Sequence, residues 1–141
     1  MPEPAELLAQ IREELRTGLQ AWKEGNAGKA RVCARRAVAW LVQALPALGL
    51  RSYGTHVGEN LRQLAADEQL PEPVRRAAAR LHGGARAQLH GGLYSLYPLH
   101  DAGLILRHFA RQLGMADAVM SMLQELNLCD APSDSSSSAA S

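Results

Sequence analysis

Between Pro4 and Glu24 the apolar residues Leu8, Ile11, Leu15, Leu19 and Trp22 recur at steps of three and four. That spacing puts them on one face of a helix. Glu6, Arg12, Glu13, Glu14 and Arg16 occupy most of the remaining surface, and Pro2 and Pro4 suit a helix start. Gly25-Asn26 reads as the stop and turn. A second helix is predicted from Ala27 to Leu48. Its apolar set of Val32, Cys33, Ala37, Val38, Trp40, Leu41, Val42, Ala44, Leu45 and Leu48 is too large for one narrow stripe. A helix apolar on most sides is buried on most sides, so this one is either the centre of a bundle or the contact with a second subunit. Pro46 should distort its last turn and Gly49 should end it.

A short third helix is predicted from Thr55 to Glu68, with Thr55 as N-cap and Val57, Leu61 and Leu64 on one face. Gly58 weakens it and reads as a mark of close contact. A fourth helix should start at Pro71 or Pro73 and reach His90, with Val74, Ala78, Leu81, Ala85 and Leu89 as its stripe and Gly83-Gly84 dividing it. A fifth should run from Leu99 to Leu128 with a bend at Gly114; its stripe is Ala102, Ile105, Phe109, Leu113, Ala116, Met120, Leu123 and Leu126. Residues 130–141 are rich in Ser and Ala and read as a flexible tail that buries too little to order itself, so the folded domain is expected to span 1–129.

Composition agrees with an all-α protein: only ten of the 141 residues are Val, Ile or Thr, the types that strands favour. The net charge of +1 hides an uneven distribution. Lys29, Arg31, Arg35, Arg36 and Arg51 lie between Glu24 and Glu59 with no acid among them, and Arg75, Arg76, Arg80 and Arg86 lie between Glu72 and Asp101, again with none. Two basic helices of this kind either frame a groove for a phosphate or an RNA backbone or dock beside acidic helices. Cys33 and Cys129 form no Cys-x-x-Cys motif, and Cys33 reads as a small core residue, which fits a reducing cytoplasm. The longest apolar stretch is too short to span a bilayer, and the N-terminus lacks the basic start of an export signal.

The long first helix, the turn at Gly25-Asn26, the segment AGKARVCARRAVAWLVQAL, His56 ahead of Leu61 and Leu64, and Tyr97-Pro98 before the last helix together resemble the HEPN family of small helical proteins, over residues 5 to 113. The resemblance implies an antiparallel up-and-down bundle of four to five helices and a homodimer. It also implies one of two roles: a metal-independent ribonuclease with an Arg-x(4–6)-His motif, or a non-catalytic partner of a small nucleotidyltransferase.

Arg51-Ser-Tyr-Gly-Thr-His56 has the Arg-x4-His spacing. RNA carries its own nucleophile, so a cleaving site needs little beyond a proton-moving group and a cation. Arg51 and His56 are therefore the candidate catalytic pair, and Lys29, Arg31, Arg35 and Arg36 the candidate phosphate contacts. In the family the nuclease motif sits on a late helix, whereas here it precedes the third, where a His is commonly structural. The leading expectation is thus a non-catalytic subunit that binds nucleotide or RNA or partners a nucleotidyltransferase; the others are the ribonuclease and a dimeric structural protein without ligand. No cofactor is implied. No metal site is expected, because His82–His90 and His100–His108 are each eight apart, about 12 Å along a helix. Tyr53, Tyr94 and Tyr97 either stack on bases or pack loops. Trp22 and Trp40 read as core.

Overall fold

The computed structural model describes residues 3–83 and 95–129. All regular structure among them is helical. The helices are α1 (Pro4–Lys23), α2 (Ala27–Val42), α3 (Val57–Ala66), α4 (Glu72–His82), α5 (Pro98–Gln112) and α6 (Ala116–Glu125), with one 3₁₀ turn at Pro46–Leu48. The count exceeds the expected four to five because the last segment forms two helices. Gly114 adopts φ 70, a left-handed conformation that ends α5 and lets α6 fold back along it. Leu123 and the Leu128 carbonyl then lie over Gly103.

Several boundaries differ from the sequence expectation for local reasons. α2 ends at Val42, before Leu48. Pro46 has no N–H to donate, and its ring clashes with the carbonyl four residues earlier, which is that of Val42. α3 begins at Val57, and its N-cap is His56 rather than Thr55. Thr55 uses its backbone N–H instead, donating to Glu59 Oε1 at 3.0 Å. α4 ends at His82 and caps at Gly83; its expected continuation to His90, with Ala85 and Leu89, lies outside the described residues, as do Tyr94 and the tail. Tyr97 is the N-cap of α5, with Pro98 in the first turn.

One apolar core runs through all six helices. α2 packs on α1, α3, α4 and α5, and α5 packs on α1, α2, α4 and α6. The buried face of α1 is Leu7, Ile11, Glu14, Leu15, Gly18 and Ala21. It is rotated away from the expected stripe, leaving Leu8 and Leu19 only partly buried. The cause is the closeness of α2. A Cβ at Gly18 would stand 2.9 Å from Cys33 Cβ and 2.8 Å from Leu99 Cδ1, so only glycine fits where α1, α2 and α5 meet. The small residues Ala30, Ala34 and Ala37 line the facing side of α2 and are fully buried.

Trp22 and Trp40 are not core. Each keeps 38% of its surface exposed, and Val32 and Leu48 are more exposed still. α2 is therefore central but covered on one side only. Its outward side carries Lys29, Val32, Arg36 and Trp40.

Candidate functional site

The Arg51–His56 segment is built around a buried tyrosine. The Tyr53 hydroxyl donates to Asp67 Oδ2 at 2.5 Å, and its ring meets Phe109 of α5 edge-on at 5.9 Å. Its carbonyl accepts from Asn60 Nδ2 at 2.9 Å, while Asn60 Oδ1 accepts from Gln43 Nε2 at 2.9 Å. The loop is thus pinned to α2, α3 and α5 at once. Arg51 closes the network: its Nη1 lies 3.0 Å from Asp67 Oδ1, and its guanidinium sits 5.0 Å above the Tyr53 ring centre.

The electrostatics follow from these contacts. Burial would raise the Asp67 pKa, but the Tyr53 hydroxyl, the Gln69 N–H and Arg51 outweigh it and hold the carboxylate below its ordinary value. Burial, and then the bond to Asp67, push the Tyr53 phenol far above its usual range. His56 stands apart. Its imidazole is 74% exposed, and its Nε2 lies 3.8 Å from Glu59 Oε1. No hydrogen bond or ion pair joins it to Arg51. The two residues that the spacing brings together in sequence are directed to different carboxylates, Arg51 to Asp67 and His56 to Glu59.

The four candidate phosphate contacts divide between two edges of α2. Lys29 and Arg36, seven residues apart, share the outward face with Val32 and Trp40. Arg36 Nη2 pairs with Glu14 Oε2 at 3.0 Å, and the Trp40 indole N–H donates to the same oxygen at 3.3 Å. Glu14 itself is nearly buried. Arg36, Ala39, Trp40, Gln43 and Ala44 line an open groove of about 330 Å³. Cys33 is buried in the core, and burial, followed by Glu14, raises its thiol pKa above the ordinary value.

Arg31 and Arg35, one turn apart, occupy the other edge. Arg31 Nη2 donates to the Ser95 carbonyl at 3.2 Å. The Ser95 hydroxyl donates to Asp101 Oδ2 at 2.7 Å, and Arg80 of α4 grips Asp101 with Nη2 at 2.8 Å and Nε at 3.1 Å. Ser95 and Asp101 are both buried. The loop-packing alternative for Tyr53 is the one its bond to Asp67 fits; the partners Glu14, Asn60, Asp67, Arg80, Ser95 and Asp101 were not singled out from the sequence. One signal was there to read: Asp101 is the acid that closes the long acid-free run after Glu72.

Of the tyrosines, Tyr53 is buried and Tyr97 lies half-exposed between Trp22 and His100, with ring centres 6.2 and 6.1 Å away. Among the described residues no group of three His, Cys, Asp or Glu could hold a metal ion, and no helix is long and apolar enough to cross a membrane. Cys33 and Cys129 are both free thiols. In comparison with known proteins, no family model, curated protein or solved structure matches the chain.

Proposed function

We propose that this protein is a HEPN-like, non-catalytic binding module: a homodimer, paired through α2, that presents a nucleotide or RNA or docks a small nucleotidyltransferase in the cytoplasm. The observation that carries this reading is the outward face of α2. Around Trp40 its polar groups are satisfied within the chain, since Arg36 and the Trp40 N–H turn to Glu14 and Gln43 turns to Asn60, while Lys29 stands at the far N-terminal end of the helix. Its apolar groups, Val32 and the Trp40 ring, face outward. The part of the face around Trp40 can be covered without stranding a donor or a charge, which is the condition for a protein contact. Arg36, Ala39, Trp40 and Gln43 stand at positions i, i+3, i+4 and i+7, the four corners of a hole that accepts a knob from a second helix. A second copy brings a matching knob, Trp40 itself, in a two-fold arrangement.

The commitment of Arg51 to Asp67 and Tyr53 favours the non-catalytic reading over the ribonuclease. Light scattering after size exclusion tests the dimer: the wild type elutes at twice 15.2 kDa, and Trp40→Glu elutes as a helical monomer. Fluorescence anisotropy with a labelled adenine nucleotide and a labelled oligoribonucleotide, and co-purification with a co-expressed nucleotidyltransferase, test the binding role. A monomeric wild type that binds none of the three rules the reading out.

A further inference from the structure

The charge of α2 runs against its own dipole. A helix favours anions in its first turn and cations in its last. α2 has no acid in its first turn and no base in its last. Its first turn holds Lys29 instead, the third residue of the helix. Lys29 is exposed, and its ammonium joins no ion pair among the described residues. At the other end the chain tightens beyond Val42. Ala44 donates to Leu41, Leu45 to Val42 and Leu48 to Leu45, each three residues back. The carbonyls that turn outward at such an end carry the negative pole of the helix, and here no cation of the last turn meets them.

Trp40, the residue that anchors the proposed α2 contact, lies midway between the two ends. Lys29 is about 16 Å before it along the axis, at about 1.5 Å per residue. Leu48 is about 14 Å beyond it, because the tightened part rises about 2 Å per residue. We infer that the two copies of α2 cross antiparallel about Trp40, so that Lys29 of each protomer stands beside the C-terminal turn of the other α2. The parallel arrangement sets the two lysines and the two positive poles against each other. The antiparallel one separates the lysines by about 33 Å and gives each a negative pole to face. It also brings Val32, about 12 Å before Trp40, level with the partner's Pro46 and Ala47; all three are exposed and apolar. The inference rests on the dimer proposed above and fixes the orientation which that reading leaves open.

Cysteine cross-linking of the full chain reads the orientation. Val32→Cys and Ala47→Cys are made in a Cys129→Ser background, in which the remaining native thiol, Cys33, is buried. Treated with a short bis-maleimide, the antiparallel dimer gives a covalent dimer when the two variants are mixed and none from either alone. A covalent dimer from each variant alone, with none specific to the mixture, overturns the arrangement and leaves the dimer standing. A wild type that light scattering finds monomeric overturns both. Charge reversal gives a second reading with two signs. In the Trp40→Glu monomer, Lys29→Glu raises the Tm, because an acid suits the first turn. In the otherwise unchanged chain it weakens the dimer about tenfold, since both equivalent ends lose their contact. Adding Ala47→Lys restores the affinity, an exchange that a parallel pair, with the two positions about 29 Å apart along the axis, does not allow. A Lys29→Glu chain that dimerises as tightly as wild type overturns the arrangement.

Discussion

The Tyr53 hydroxyl and the Asp67 carboxylate, fourteen residues apart, meet at 2.5 Å in the interior of the bundle. This bond ties the loop after α2 to the end of α3, and it is where Arg51 places its charge. Asp67 also receives the Gln69 N–H at 2.9 Å. Asp67→Ala should therefore strand several donors at once and lower stability by about 2–3 kcal/mol. Tyr53→Phe, which removes one hydroxyl, should cost about 1–2 kcal/mol. Arg51→Ala, at an exposed guanidinium, should cost less than about 1 kcal/mol. Urea midpoints of the three variants check this order.

The pH dependence of stability should fall in two steps. Burial lowers the pKa of His100 and of His108, the latter further through Arg111, below the ordinary 6.5. The unfolded chain then binds protons first as pH falls through 6.5, so stability drops between neutral pH and the lower folded pKa values. Asp67 also has a depressed folded pKa, relative to 3.8. Its contribution is present above that value and is lost as pH falls through the folded pKa. Chemical denaturation at pH 8, 6, 5 and 3 should show both steps, and His100→Gln should shrink the first alone.

Two glycines should respond to alanine with opposite signs. A Cβ at Gly18 meets Leu99 and Cys33 well inside contact distance, so Gly18→Ala should destabilise by about 1–3 kcal/mol. A Cβ at Gly58 meets nothing within 4 Å, which corrects the expectation of a close contact there. Gly58→Ala should stabilise α3 by about 0.5–1 kcal/mol. Thermal melts of the pair measure both.

Breaking the Arg80–Asp101 pair should be severe. The Asp101 side chain is 9% exposed, and Arg80 grips it with two nitrogens. Removing the cation in Arg80→Ala leaves a nearly buried carboxylate that, among the described residues, keeps the Ser95 hydroxyl as its side-chain partner, at a cost of about 3–5 kcal/mol. The exposed Arg76–Glu72 pair, one turn away on the same helix, is the control; Arg76→Ala should cost less than about 1 kcal/mol.

His56→Ala tests the ribonuclease alternative. The imidazole is largely exposed and its contact with Glu59 is long, so the change should leave stability within about 0.5 kcal/mol of wild type. On the non-catalytic reading, labelled RNA incubated with either protein in EDTA stays intact. Metal-free cleavage by the wild type that vanishes in His56→Ala would restore Arg51 and His56 as a catalytic pair.

The helices were legible in the sequence because their signals are local. A repeat of three and four residues marks α1, Gly25-Asn26 turns the chain, Pro46 halts α2 near Val42, and Pro98 opens α5. Each depends on backbone geometry within a few residues. Even so, Gly114, where the local pattern predicts a bend, makes a complete break, because folding back lets α6 bury Val119, Met122 and Leu123.

The tertiary structure decided which faces are covered and where the charges go. Reading by hydrophobicity chose the large residues of α1 and placed Trp22 and Trp40 inside; close packing chose Gly18 and Ala21 and left both rings half outside, because helices approach most closely where side chains are smallest. The arginines of α2 looked equivalent in an acid-free run. Their partners come from far along the chain, Glu14 for Arg36 and the Ser95 carbonyl for Arg31, so no local pattern could tell which arginine meets a carboxylate. Sequence by itself determined an all-helical chain with its turns and its charge blocks. Only the fold decided that Arg51 serves Asp67 and that Arg36 serves Glu14, since those outcomes depend on distances between residues that no spacing encodes.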